Sequence, residues 1–488
     1  MRKRFEQQLI LGQIPIEEVE ITVKNPTSLD ELLAALKEIY CNKEYNERIF
    51  SVLEKHINAN KKDTGRNGMN LWDIFVLSQV RLCLNTDYSV LCNLANNHRT
   101  MREIMGVERE AGFDRIKFEY QNIYDNVNLL SDEIVKEINE VILDFGEKKV
   151  FKKKEKAPLR LKTDSFVVES NVHFPTDYNL LWDSVRKVLD TVEKFLNKYE
   201  NLEGWRKINN WRHIIKGLMR ELGKASKSGG SGKQERVKYS AKRYLKKAKA
   251  LLKKVKDDLP DFPITDNEDL FLIISLEHYM ALMEKHIDLV ERRIIKGEKI
   301  PHKDKLFSIF EPYTEWITKG KSRPSVELGK KLSITTNQFD LIVDYRIMNQ
   351  EQDRDIVIEL ADSILRKYSV ISWSFDKGYW RKDNKELLQL EVEKVVMPKL
   401  GRRNKAEQQE ETSQSYKRLK NKHSAIESNI NELEHRGLNR CPDRGFAHFS
   451  RYIGLGVCAY NLKKTGRKII EAERLRLQKE KQKLRKAA

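Results

Sequence analysis

Residues 159–172, LRLKTDSFVVESNV, alternate apolar and polar side chains with the period of two that marks a strand buried on one face. Leu159, Leu161 and Thr163 fall on one face of it and Arg160, Lys162 and Asp164 on the other, which leaves Asp164 among cations at the strand's end. Upstream, the basic linker FKKKEK at 151–156 closes a region in which Leu71, Ile74, Phe75, Val80 and Leu82, then Leu91, Leu94 and Ala95, recur at helical spacing. Residues 1–150 therefore read as an all-α module. Within it, TDYSVLCNLANNHRTMREIMGV at 86–107 reads as helix, polar break, helix, which suits either a helix-turn-helix or a packing hairpin.

Downstream, Pro175 and Asp177 open a helical run over 178–305, with Leu181, Val185, Val188, Val192 and Leu196, then Ile208, Trp211, Ile215 and Leu218, as buried faces. This is a helical insertion. A break at SKSGGSGK (226–233) precedes RVKYSAKRYLKKAKALLKKVK (236–256), whose cations cover most of a helix surface, either solvated or facing phosphate. Alternation returns at VELGKKLSITT (326–336) and, after a turn at Asn337 to Asp340, at LIVDYRIM (341–348), a hairpin. A helix from about Arg354 to Lys367 leads into YSVISWSFDKGYW (368–380), an apolar strand that ends on Asp376 and breaks at Gly378. NKELLQLEV and KVVMPKL supply one more helix and strand. The polar stretch from 401 precedes a helix striped by Leu419, Ile426, Ile430 and Leu433, with Glu427 beside the stripe, and a last apolar helix begins at Phe446. Residues 463–488 carry eleven Lys or Arg against three Glu and read as a frayed basic tail, so that the core spans 151–177 and 306–466.

Of 488 residues, 40% are hydrophobic and 34% charged, which excludes a mainly disordered chain. The strongest apolar stretch, Leu270 to Met283, is broken by Glu277 and His278, well short of a membrane span. The N-terminal MRKRFEQQLI has no sustained apolar segment, so a cytoplasmic, nucleoid-associated protein is expected. Five scattered cysteines without a CxxC pair support neither a disulfide framework nor structural zinc, and His435, Cys441 and His448 lack a fourth ligand. A net charge of +19 points to a polyanion, foremost nucleic acid bound through counterion release.

The segments follow one another as strand, helical insertion, hairpin, helix, strand, helix, strand, helix. With the hairpin on one side of the first strand and the strand ending at Asp376 on its other side, a topological switch point forms between them, where an open α/β sheet places its site. Asp164 and Asp376 meet there, and Glu427 from the C-terminal helix completes a cluster of hard oxygen ligands suited to Mg²⁺. Two such ions ~4 Å apart stabilise attacking and leaving oxygens together, which is phosphodiester chemistry. Other acids have local duties: Asp340 lies in the hairpin turn, Asp344 in a strand interior, and Asp355 opens a helix. Tyr379 and Trp380 suit either stacking on an unpaired base or core packing, and Trp316 with Lys319 face the same choice.

Three segments, LKTDSFVVESNVHFPTD, SFDKGYWRKDNKELL and HSAIESNINELEHRGLNRCPDRG, resemble in this order the catalytic regions of bacterial insertion-sequence DDE transposases. The resemblance runs over roughly residues 65–466, since LWDIFVLSQVRLCLNTDYSVLCNLANNHRTMREIMGV is similar to their N-terminal helical region. It implies an RNase H-like α/β fold with catalytic Asp164, Asp376 and Glu427 holding Mg²⁺ or Mn²⁺. It also implies cleavage at an element's ends and joining of the freed 3′-hydroxyl to target DNA, with a homodimer on double-stranded DNA, both terminal repeats and target. Many relatives carry Y-x-x-R-x-x-x-E-x-x-x-x-x-x-K around the glutamate, where this chain has Lys420, His423, Glu427 and Glu434. His423 is placed one turn before Glu427 to meet phosphate or orient water, unless it is a plain surface histidine. The expected DNA contacts are Lys162, Lys319, Lys321, Tyr379, Trp380, Arg402, Arg403, His423 and Arg436, with Lys242, Arg243 and Lys246 on the basic helix and the tail holding further phosphates. The rival readings are a structure-specific nuclease of the same fold and an inactive, domesticated DNA-binding protein.

Overall fold

The alternation at 159–172 becomes β1 (Leu159–Glu169), and Leu159, Leu161 and Thr163 are buried as its period requires. The computed structural model describes residues 2–7, 12–59, 68–109, 115–155, 157–199, 204–318 and 325–487. The expected hairpin is β3 (Val326–Thr336) with β4 (Ile342–Ile347). Its turn is fixed by Asn337, whose Oδ1 accepts from the backbone N–H of Phe339 (2.9 Å) and Leu341 (3.1 Å), and Asp340 takes the left-handed φ of 59°. With β2 (Glu315–Thr318), β5 (Val370–Phe375) and β6 (Lys394–Val396), these strands form one mixed sheet in the order β2-β3-β1-β5-β6, β4 also pairing with β3.

Two different ladders hold β1. It pairs antiparallel with β3 from Lys162↔Thr336 to Glu169↔Gly329, and parallel with β5 from Leu159↔Val370 only as far as Thr163↔Phe375. One face of the sheet is apolar: Leu161, Trp373 and Phe375 pack with Leu360 and Ile364 of helix Val357–Leu365 and with Leu388 of helix Lys382–Glu391. The expected helix over 354–367 starts later because Asp353–Asp355 form a separate tight turn before it. The opposite face carries Lys162, Asp164 and Ser374 and is covered by two helices, Gln414–His423 and Ala425–Leu433, where the sequence pattern suggested one. Ser424 separates them, so His423 and Glu427 do not share one uninterrupted helix.

The chain divides into two compact units, 1–171 with 317–488, and 172–316. In the first, the N-terminal helices Ser28–Cys41, Leu71–Cys83 and Asp132–Phe145 pack against helix Phe446–Ala487, so residue 150 marks no boundary between units. The stretch expected to be a frayed tail is the continuation of that helix. In the candidate helix-turn-helix or packing hairpin, the second helix, Arg99–Ile104, has a fully buried Arg102 that donates to the carbonyls of Ala95 (2.9 Å) and Val107 (3.1 Å) and so serves packing.

The second unit is the helical insertion, wider at both ends than 178–305. Helices Asp177–Lys198, Ile208–Lys227, Lys233–Asp258 and Asn267–Val290 bury Leu181, Val188, Ile215, Tyr244, Leu251 and Met283 in a core of their own. The unit's two end segments meet each other through aromatic contacts, Phe174 with Trp316 (5.4 Å) and Phe307 with Trp316 (5.7 Å). Trp316 is thus engaged in packing.

In the first unit, helix 446–487 approaches helix 28–41 so closely that a Cβ on Gly466 would stand 1.6 Å from the Glu31 carbonyl oxygen. Gly466→Ala should therefore destabilise the chain by about 1–3 kcal/mol or more, read as a lower urea midpoint. Gly217→Ala is the control: Gly217 lies in helix Ile208–Lys227 with no atom within 4 Å of the added Cβ, and the change should stabilise by about 0.5–1 kcal/mol.

Candidate active site

The site lies where the parallel ladder stops. Thr163 and Phe375 are the last paired residues of β1 and β5, so Asp164 and Asp376 leave the ladder side by side, one step beyond. Asp376 ends its strand as expected, whereas Asp164 sits mid-strand, still paired with Ile334 of β3. The turn after Asp376 passes close to Asp353: a Cβ on Gly378 would lie 2.9 Å from Asp353 Oδ2. Asp353 is itself held by Ser165 Oγ (2.6 Å) and Lys331 Nζ (2.7 Å). It stands beside the predicted pair, and sequence pattern did not single it out.

Charge defines the cluster further. Burial first, and then the charges of Asp376, Asp353 and Glu427, push the Asp164 carboxyl up to about 7, against a hydrogen bond from the Ser165 N–H (2.7 Å) that works to lower it. The carboxylates of Asp376 and Glu427 are exposed and have no hydrogen-bond or ion-pair partner among the described residues. Four carboxyl groups thus lie near one another, and among the described residues the one cation bonded to any of them is Lys331 on Asp353. The oxygens of Asp164, Asp376 and Glu427 do not all come within 4.8 Å of one another; the group of that tightness among the described residues is His56, Glu133 and Glu137. There Lys55 (3.0 Å) and His56 (2.8 Å) already pair with Glu137.

The helices bearing His423 and Glu427 are pinned to the sheet by polar contacts. His423 Nδ1 meets Ser374 Oγ at 3.1 Å, and Asn429 Nδ2 donates to Asp340 Oδ1 at 3.5 Å. Burial draws the His423 imidazole down to about 4, so near neutrality it is an uncharged hydrogen-bonding group, and its Nε2 is buried without a partner. Between these helices and the sheet lies a cavity of about 410 Å³ lined by Arg160, Lys162, Ser372, Ser374 and Lys422 among others.

The other expected DNA contacts divide. Tyr379 is 1% exposed, with its hydroxyl on Ser333 Oγ (3.2 Å), so it belongs to the core and cannot stack on a base. Arg436 is likewise turned inward, donating to Ser28 Oγ (2.5 Å) and the Cys83 carbonyl (3.2 Å). Arg403 is taken up by Glu411 (2.7 Å), Lys162 by Asp340 (2.7 Å) and Arg243 by Glu221 (2.6 Å). Trp380 packs on the core beneath Lys399, whose Nζ is 5.4 Å from the ring. Arg402, Lys242 and Lys246 are exposed and without an acidic partner among the described residues. Lys319 and Lys321 lie outside the described residues.

Residues 293–462 match the family model described as the transposase DDE domain. This segment, which includes Asp353, Asp376 and Glu427 and strands of the mixed sheet, is thus similar to the DDE domain of transposases. The match begins after β1, which the helical insertion separates in sequence from its partner strands. No curated protein and no solved structure matches the chain. No helix among the described residues is long and apolar enough to cross a membrane.

Because the folded-state value of Asp164 lies above its ordinary 3.8, ionising it costs stability, beginning as pH rises past about 4 and complete above about 7. Without divalent metal, Asp164→Asn should raise the urea midpoint at pH 8 and leave it unchanged at pH 4. An equal gain at both pH values would contradict the charge origin of the shift.

Proposed function

We propose that this protein is an insertion-sequence transposase with an RNase H-like core, which cleaves its element's ends and joins the 3′-hydroxyl to target DNA. The supporting observation is the convergence of Asp376, Asp353 and Glu427 on a half-buried Asp164 at the switch between β3 and β5. Such a donor set suits a hard divalent cation: all its ligand atoms are oxygens, and its charges repel one another until a cation joins them. Asp164, Asp376 and Glu427 would hold Mg²⁺ or Mn²⁺. The ion, when bound, polarises the scissile phosphate and stabilises the attacking and leaving oxygens.

The remaining steps fall to the chain's own groups. Asp353 fixes Ser165 and thereby the backbone N–H that Asp164 accepts. Ser374 Oγ spends its one hydrogen on the Leu161 carbonyl (3.3 Å) and so accepts from His423 Nδ1, which leaves the unpartnered Nε2 a neutral acceptor that can orient a water where relatives place cations. Lys238, Lys242, Lys246 and Lys253 form an exposed stripe on the insertion's basic helix, unpaired among the described residues, and serve as phosphate contacts for duplex DNA. The protein is proposed to act as a homodimer on its ends, in the bacterial cytoplasm at the nucleoid.

Asp376→Asn and Glu427→Gln should each abolish strand cleavage while leaving end binding intact, as should chelation of metal in the wild type. A pre-cut end offered with plasmid target separates the enzyme readings: joined product is expected, and cleavage without joining would favour the nuclease. His423→Ala should slow cleavage about 10- to 100-fold through misplacement of the attacking water and the Glu427 helix, with end binding unchanged.

A further inference from the structure

The first unit contains a second site-like feature next to the chain segment that bonds the far end of β1. A cavity of about 720 Å³ is lined by Tyr88, Tyr120, Tyr124, Arg81, Arg444 and His448, together with other polar residues. Tyr120 and Tyr124, one turn apart on helix Tyr120–Val127, hold their rings parallel within 6° with centroids 6.5 Å apart. They remain 47% and 40% exposed. Tyr88 meets both edge-on, at 6.3 and 5.0 Å, and stiffens them. Two parallel aromatic faces held open to solvent form a platform for a flat ring.

The charge beneath this platform is unbalanced. Arg81 and Arg451, each 3% exposed, share one carboxylate: Asp443 accepts from Arg81 at 2.7 and 3.2 Å and from Arg451 at 3.3 Å. Arg444 adds an exposed cation at the rim. The other acid of the lining, Asp87, caps its helix by accepting from the Val90 N–H at 2.8 Å. Three arginines thus face two carboxylates. The Tyr88 hydroxyl and the Nε atoms of Arg81 and Arg451 are buried without a partner. An aromatic platform over a net-positive cavity with unused donors suits a nucleotide, base on the tyrosines and phosphate toward the arginines.

Its position relative to the carboxylates fits a strand of DNA. The backbone of Asn439 and Cys441 bonds to Glu169 at the end of β1 (3.0 and 2.8 Å), and Pro442 to Arg444 follow directly at the cavity. Asp164 and Glu169 are five strand residues apart, about 17 Å at ~3.3 Å per residue. That is about five stacked nucleotides at 3.4 Å each. We infer that Tyr120 and Tyr124 stack an unpaired base of the bound DNA some five nucleotides from the cleavage position, with its phosphate toward the arginines. This rests on the transposase reading for the identity of the strand, whereas the platform itself does not.

The test is fluorescence anisotropy of the full chain with a labelled 12-nucleotide single strand and the matching duplex, with dAMP as a competitor. Tyr120→Ala/Tyr124→Ala should weaken single-strand binding about 10- to 100-fold, the loss of roughly one stacked base, and change duplex binding less than twofold. Arg444→Glu, at an exposed position, should weaken the single strand as well. Single-strand binding equal to wild type in the double variant, or equal losses for strand and duplex with an unchanged melting temperature, would overturn the inference. Complete displacement of the strand by micromolar dAMP would assign the pocket to a free nucleotide and overturn it too. Should the wild type fail to join a pre-cut end while the double variant still loses the single strand, the transposase reading falls and the stacking site stands.

Discussion

β1 is bonded on both edges, and its two ladders stop at different places. The antiparallel ladder to β3 runs on to Glu169, while the parallel ladder to β5 ends at Thr163 and Phe375. Where one neighbour leaves and the other remains, the sheet opens on one side only. Asp164 and Asp376 stand at that opening because side chains alternate and their strands are in register. A one-residue slip of β5 would turn Asp376 toward the face now filled by Trp373 and Phe375. Burial of those rings, with Trp373 Nε1 donating to Thr163 Oγ1 at 2.7 Å, therefore sets the register on which the carboxylates depend.

The electrostatics of the opening follow from what covers it. Helices 414–423 and 425–433 lie over the polar face and bring Glu427 toward Asp164 while excluding part of the solvent. Burial and like charge act on Asp164 in the same direction, and Lys331 attends only to Asp353. Folding has left negative charge unneutralised at one place in a chain of net charge +19. Surplus lysines elsewhere, such as Lys238, Lys242, Lys246 and Lys253 on the insertion's basic helix, have no acidic partner among the described residues, so the proposed phosphate contacts and the proposed cation site fall to different residues.

Much of this was legible in the sequence. The alternation of 159–172 and of the hairpin defined the strands, and the apolar run put Asp376 at the end of its strand, because strand period and burial are local properties. Long-range partners were not legible. Asp353 lies in a short turn whose sequence resembles any other acidic turn, and only the fold shows that it borders Asp164. Tyr379 and Arg436 have the composition of nucleic-acid contacts but spend it on the core, on Ser333 and on the Ser28 helix end. The tail seemed frayed because its cations conceal the helical continuity of 446–487. The break at Ser424 is likewise hidden, since helical spacing runs through it.

The most direct measurement is an anomalous difference map from crystals soaked in Mn²⁺. The account predicts a peak bound by oxygens of Asp164, Asp376 and Glu427 at about 2.1 Å, with the side chains drawn closer together than in the free protein. It also predicts loss of that peak in Asp164→Asn. A peak at His56, Glu133 and Glu137, with none between β1 and β5, would contradict it.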